Sequence, residues 1–148
     1  MLKKIIILVF FFFLNSSLFA DDEYFLTLRN DKVNLRQGPS FEYPIKIFYK
    51  KKYLPVLVQD KADNFRKIID HENNTGWIHV SQLSKRNAAI NLINDSLVFR
   101  SSTVYSKPLV VLKKGKLCMV VKCENNWCKI KVDKFTGWIK KSSLWGRI

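Results

Sequence analysis

Three cysteines, Cys118, Cys123 and Cys128, lie five and five residues apart near the end of the chain. Sulfur at such spacing can form a disulfide, hold a metal or act as a nucleophile. Cys123 and Cys128 bracket Glu124-Asn125-Asn126-Trp127, a tight-turn composition. Their Cα atoms can therefore fall within the roughly 4.4–6.8 Å that a disulfide spans. That pairing is favoured; Cys118–Cys128 across the same hairpin, and three reduced, buried thiols, are the alternatives. A loop this short gains little chain entropy, so the bridge would mainly fix turn geometry. Structural zinc asks for closely spaced ligand pairs, and no histidine lies near these cysteines in sequence. No metal or cofactor is assigned. A catalytic thiol needs an oriented base, and only His71 and His79 are present, both well upstream. No phosphate loop or paired-acid signature appears either. The expectation is a protein that is not an enzyme.

The remaining chemistry is that of binding. Phe41, Tyr43, Tyr49 and Tyr53 lie in and after the loop that follows Pro39, and rings in such a loop offer flat contact surface. The same rings are what a small core needs, and packing is the expected role for at least half of them. Further along, Tyr105, with Lys129 and Lys131 on one strand face beside Trp127, forms a second, basic-aromatic candidate.

These residues are positioned by a repeat. Val33-Asn34-Leu35-Arg36-Gln37-Gly38-Pro39-Ser40, followed by Gly76-Trp77-Ile78, recurs as Val98-Phe99-Arg100-Ser101 and Gly137-Trp138-Ile139. Leu35-Arg36 aligns with Phe99-Arg100 and Pro44 with Pro108, both at an offset of 64. Phe65-Arg66-Lys67-Ile68 aligns with Trp127-Cys128-Lys129-Ile130 at 62, and Thr75-Gly76-Trp77 with Thr136-Gly137-Trp138 at 61. Two copies of one pattern imply two copies of one folding unit. In each, the glycine before tryptophan allows close backbone approach, and the indole is expected in core or half-buried packing. Ile78 and Ile139 then point to the opposite face. In the second copy Arg100 is followed by Ser101-Ser102-Thr103, with no Gly-Pro, so its turn is expected to be built differently.

Alternating, β-branched stretches separated by turn residues run throughout, and no window carries a helical stripe. Many short strands in units of about 64 residues favour two small β-barrels over a sandwich. The resulting division is 1–20 targeting segment, 21–85 first unit and 86–148 second unit, the stretch 84–89 acting as linker. In the first segment, Lys3 and Lys4 precede ten apolar residues from Ile5 to Leu14 and a polar, small-residue end at Ala20. That is the form of a signal peptide cleaved after Ala20; an uncleaved anchor is the alternative. No later run is long enough to span a membrane. The formal charge of +14 is unevenly shared. Residues 21–85 carry 11 basic and 9 acidic side chains, a net +2, whereas residues 86–148 carry 13 and 3, a net +10. Such asymmetry suits an anionic partner, although 20 Lys against 6 Arg also fits compositional drift.

The start at Asn34, Arg36, Gly38 and Pro39 and the close at Gly76-Trp77 resemble the bacterial SH3-like (SH3b) domain. The second copy, with Arg100, Gly137 and Trp138, resembles it more weakly. The whole is similar to a family of exported, tandem SH3-like proteins of alphaproteobacteria with no established function. The resemblance implies an all-β fold of two tandem SH3-like barrels, and a module that binds cell-wall peptidoglycan or peptides. The expected protein is thus a non-catalytic, periplasmic binding module of the cell envelope whose partner is a wall polymer or an envelope protein. A periplasmic protein–protein adaptor is the alternative. Export argues against nucleic acid as partner, and the sequence leaves the oligomeric state open.

Overall fold

The computed structural model describes residues 22–148; the targeting segment assigned to residues 1–20 lies outside the described residues. The described chain is all β, with two 3-10 turns, Val80–Gln82 and Lys141–Ser143, as its only helical segments. Two seven-stranded antiparallel sheets share one topology. The first contains β1 (Tyr24–Leu28), β2 (Val33–Arg36), β3 (Ile45–Tyr49), β4 (Pro55–Ala62), β5 (Phe65–Ile69), β6 (Thr75–His79) and β7 (Leu83–Ser84). The second contains β8 (Ala88–Asn91), β9 (Ser96–Phe99), β10 (Pro108–Leu112), β11 (Leu117–Glu124), β12 (Trp127–Val132), β13 (Phe135–Lys140) and β14 (Leu144–Arg147). The spatial orders, β3-β2-β6-β5-β4-β1-β7 and β10-β9-β13-β12-β11-β8-β14, are the same order shifted by seven strands.

Alternation along each strand decides which side chains enter the core. In the first unit Val33, Leu35, Val56, Ile68 and Ile78 are fully buried. Val98, Ile130 and Ile139 do the same work in the second. The glycines before the tryptophans sit where strands crowd. A Cβ on Gly76 would stand 2.7 Å from the Arg36 carbonyl oxygen, and one on Gly137 2.6 Å from that of Phe99. The two residue types do take opposite faces, but it is Ile78 and Ile139 that enter the core, while the neighbouring tryptophans are half-buried on the outer face.

The ladders correct the repeat alignment in one place. Arg36 pairs with Trp77, and the residue paired with Trp138 is Phe99. Phe99 therefore stands 63 residues after Arg36, and Arg100, expected in the arginine slot, occupies that of Gln37. Matching turn bonds agree: Gln37 N–H donates to the Pro44 carbonyl, and Arg100 N–H to that of Lys107. Side-chain identity had favoured the wrong register by one residue, because in a weak repeat an arginine is a less secure marker than the ladder.

The turn after this strand is corrected as well: both copies fold alike. Ser40 N–H donates to the Gly38 carbonyl and Tyr43 N–H to that of Ser40; Thr103 and Ser106 repeat both bonds to Ser101 and Thr103. Different side chains brace the same backbone. In the first unit Arg36 Nη1 donates to the carbonyls of Phe41 and Tyr43 at 3.0 and 2.9 Å. The Tyr43 ring lies against Gly38, where an added Cβ would be 2.5 Å away. In the second, the Ser106 hydroxyl bonds to the amide and carbonyl of Ser101 and to the Thr103 carbonyl, each at 3.1 Å. Gly38 thus makes room for a ring packed on it, rather than supplying a left-handed backbone.

Candidate functional site

Residues opposite one another on paired strands share a sheet face, and this defines an outer surface on each unit. In the second, Trp127 faces Lys140 and Lys129 faces Trp138. Two indoles and two ammonium groups alternate at the corners of one square. Lys122 lies opposite Lys129, and its Nζ stands 5.6 Å from the Trp138 ring centroid, within reach of a cation–π interaction. Lys131 follows on the same face, opposite Thr136. Directly opposed lysines repel, which an anion lying across them would relieve. Glu124, at 2.8 Å from Lys122 Nζ, supplies one carboxylate.

The first unit places Phe65 opposite His79 and Lys67 opposite Trp77 at the same positions. Here the loop adds a third ring. Phe41, though 63% exposed, rests on Phe65 and His79 with centroids 5.2 and 5.0 Å away. The Arg36 guanidinium lies 5.4 Å from the Phe41 ring centroid. His79 Nδ1 accepts from Ser81 N–H at 3.2 Å and so caps the following turn.

Of the aromatic residues expected in a first-unit groove, Phe41 is on this surface, and Tyr43 is exposed in the same loop with its ring against Gly38. Tyr49 is not a surface residue. It is buried, and its hydroxyl donates to Asp70 Oδ2 at 2.8 Å. Burial and then the Asp70 contact raise its pKa far above the ordinary phenol value. The alternation that exposes Phe48 turns Tyr49 inward. Tyr53 belongs to another region: half-buried, it stands 5.0 Å from Lys52 Nζ and 5.8 Å from the Arg86 guanidinium. Its φ of 65° is a left-handed conformation that the equivalent residue, Gly115, adopts at 84°. In the second unit Tyr105 is 94% exposed on the loop, and Lys129 and Lys131 lie on the face of Trp127 as expected. Reasoning from sequence missed Lys140, Lys122 and the participation of Phe65 and His79. Alternation along β12 and β13 could have placed Lys140 on that face; the cross-strand neighbours needed the register.

The cysteines lie on the inner face of the same strands, in or against the second unit's core. Cys123 and Cys128 are directly opposed on β11 and β12 and form a disulfide, with Cα atoms 4.0 Å apart. Cys118 is buried, with its thiol directed at the Ala89 carbonyl. Burial pushes its pKa up to about 12, leaving an unreactive thiol.

A groove of about 830 Å³ adjoins Trp127 in the second unit, with Thr103, Val104, Lys140 and Lys141 in its walls. Among the described residues no helix is long and apolar enough to cross a membrane.

Known structures include distant likenesses at 9–10% identity. NlpC2 from Trichomonas vaginalis has a TM-score of 0.38, over 84% of this chain and 48% of its own. An NlpC/P60 family protein from Bacillus cereus has a TM-score of 0.38, over 82% and 56%. The chain spans about half the length of these proteins. Among curated proteins none matches it. The family described as bacterial SH3 domain matches twice, over residues 29–85 and 99–146. These two matches fall on the two sheets whose strand order repeats, and the chain belongs to the bacterial SH3 domain family, as a tandem pair.

Proposed function

We propose that this chain is a non-catalytic binding module of the bacterial cell envelope, exported to the periplasm, whose ligand is a carboxylate-bearing peptide. The square of Trp127, Lys129, Trp138 and Lys140 on the more basic unit carries this reading. Indoles provide flat apolar contact, and the ammonium groups between them attract carboxylates. Two envelope sources offer that chemistry: the peptide stems of cell-wall peptidoglycan and segments of envelope proteins.

Sedimentation with purified, protease-treated wall sacculi separates the two sources. If wall stems are the ligand, the protein co-sediments at low salt and is released as ionic strength rises, since exposed charges are screened. Lys129→Glu is expected to lower the bound fraction at least fivefold and Tyr43→Ala to leave it unchanged. Failure of the wild type to co-sediment at low salt rejects the wall polymer as ligand. Capture of an envelope protein, lost with Lys129→Glu, then identifies a protein segment instead.

A further inference from the structure

The corrected register gives the two units' outer surfaces a residue-by-residue correspondence. Phe65 and His79 occupy the positions of Trp127 and Lys140. The turn bonds place Ser40 with Thr103 and Tyr43 with Ser106, so Phe41 corresponds to Val104. In the first unit the Phe41 ring covers part of the surface of Phe65 and His79. In the second a smaller side chain stands there, itself 49% exposed, and the groove of about 830 Å³ runs past Trp127. Three changes accompany the missing Phe41 ring. Phe99, in the slot of Arg36, meets Trp127 edge to face with centroids 5.7 Å apart. The cap His79 is replaced by the cation Lys140, and Lys141 adds a second cation to the groove wall.

We infer that the second unit's groove takes from a partner the ring that the first unit supplies from its own loop: a protein segment in which an aromatic residue is followed by Asp or Glu. The ring packs on Trp127, in the place corresponding to Phe41, and the carboxylate meets Lys140 and Lys141. The first unit's loop contains the same order of groups, Phe41 then Glu42. Charge complementarity favours this occupant, because residues 86–148 carry 13 basic and 3 acidic side chains. This inference rests on the peptide-binding reading above and names the unit, the groove and the side chains bound.

The test uses the oxidised protein, labelled with 15N, and the probe acetyl-Gly-Phe-Glu-Gly-amide at up to about 10 mM. The indole N–H signal of Trp127, identified with Trp127→Phe, is expected to shift saturably. Gln in place of Glu in the probe is expected to weaken binding at least threefold, and Ala in place of Phe to abolish it. Val104→Phe builds the first unit's ring into the second and is expected to weaken binding at least tenfold, whereas Val104→Ala retains it. The probe series needs no protein variant, so it decides the matter even if Val104→Phe disturbs folding. Absence of a saturable shift, equal binding of the Ala probe, or undiminished binding by a folded Val104→Phe overturns the inference. A protein that co-sediments with protease-treated sacculi yet shows no saturable probe binding would overturn it, while leaving the wall-binding reading intact. Probe binding by a protein that ignores sacculi supports it and rejects only the wall as source.

Discussion

Asp70 gathers four hydrogen bonds in a position only 3% exposed. It accepts from Tyr49 Oη, from the side-chain and backbone nitrogens of Asn74, and from the backbone N–H of Glu72, all at 2.8–3.0 Å. Burial works against its charge, but the bonds from Asn74, Tyr49 and Glu72 prevail and hold its pKa below the ordinary carboxylate value. A carboxyl whose pKa is lower folded than unfolded binds fewer protons in the native state. Its stabilisation is complete above the ordinary value of 3.8 and is lost as pH falls through the lower native value. Asp70→Asn is therefore expected to cost about 1–3 kcal/mol at pH 7. It should also flatten the loss of stability between pH 5 and pH 2, as read by urea unfolding. An unchanged acid profile would mean that other carboxylates set it. The aromatic composition around Tyr49 made a surface role as plausible as a core role. The partner that settles its position stands 21 residues away, a separation no local pattern encodes.

At the scale of elements, the two units keep one backbone with different fastenings. Arg36 and the Tyr43 ring hold the first loop, and the Ser106 hydroxyl holds the second. The β11–β12 hairpin carries the disulfide where the first unit pairs Lys61 with Arg66. A bridge across so few residues restricts the unfolded chain modestly, so Cys123→Ser with Cys128→Ser is expected to lower stability by about 2 kcal/mol. Comparing denaturant midpoints of this double variant and wild type measures the effect, and non-reducing peptide mapping should link Cys123 to Cys128 while Cys118 alkylates only after unfolding. Hairpin and bridge were legible because turn residues and cysteines lie close in sequence. The common loop backbone was not, because Gly-Pro and Ser-Ser turns read differently until their hydrogen-bond partners are seen.

Across the whole molecule, the units join through an apolar seam. Ile90 of β8 is buried with the first unit's core, and Leu117 packs against it. Phe25 and Trp145 meet edge to face with centroids 4.8 Å apart. Arg147 binds the carbonyls of Lys85 and Phe25, each at 3.0 Å. Gly146, at φ 152°, lies where an added Cβ would stand 2.4 Å from the Ala88 carbonyl oxygen and 3.1 Å from Pro55. Units of this size bury roughly 60% of their unfolded surface and are marginal alone. The seam is therefore expected to make unfolding a single transition by calorimetry. Trp145→Ala should lower stability by about 2 kcal/mol, because this half-buried ring loses only part of a core side chain's contacts. It should also broaden the transition or split it in two. Two separate transitions in wild type would show that the seam does not couple the units.

The sequence by itself determined the all-β class, the doubling of one unit, the placing of each tryptophan and its neighbouring isoleucine on opposite faces, and the concentration of charge in the second copy. Each of these follows from short-range alternation, turn chemistry or composition, which are local. Tertiary structure alone decided that Phe99 stands in the place of Arg36, that Tyr49 belongs to a buried network, and that Trp127, Lys129, Trp138 and Lys140 form one square. These depend on which strand lies beside which and in what register, and a shift of one residue changes every neighbour across the ladder.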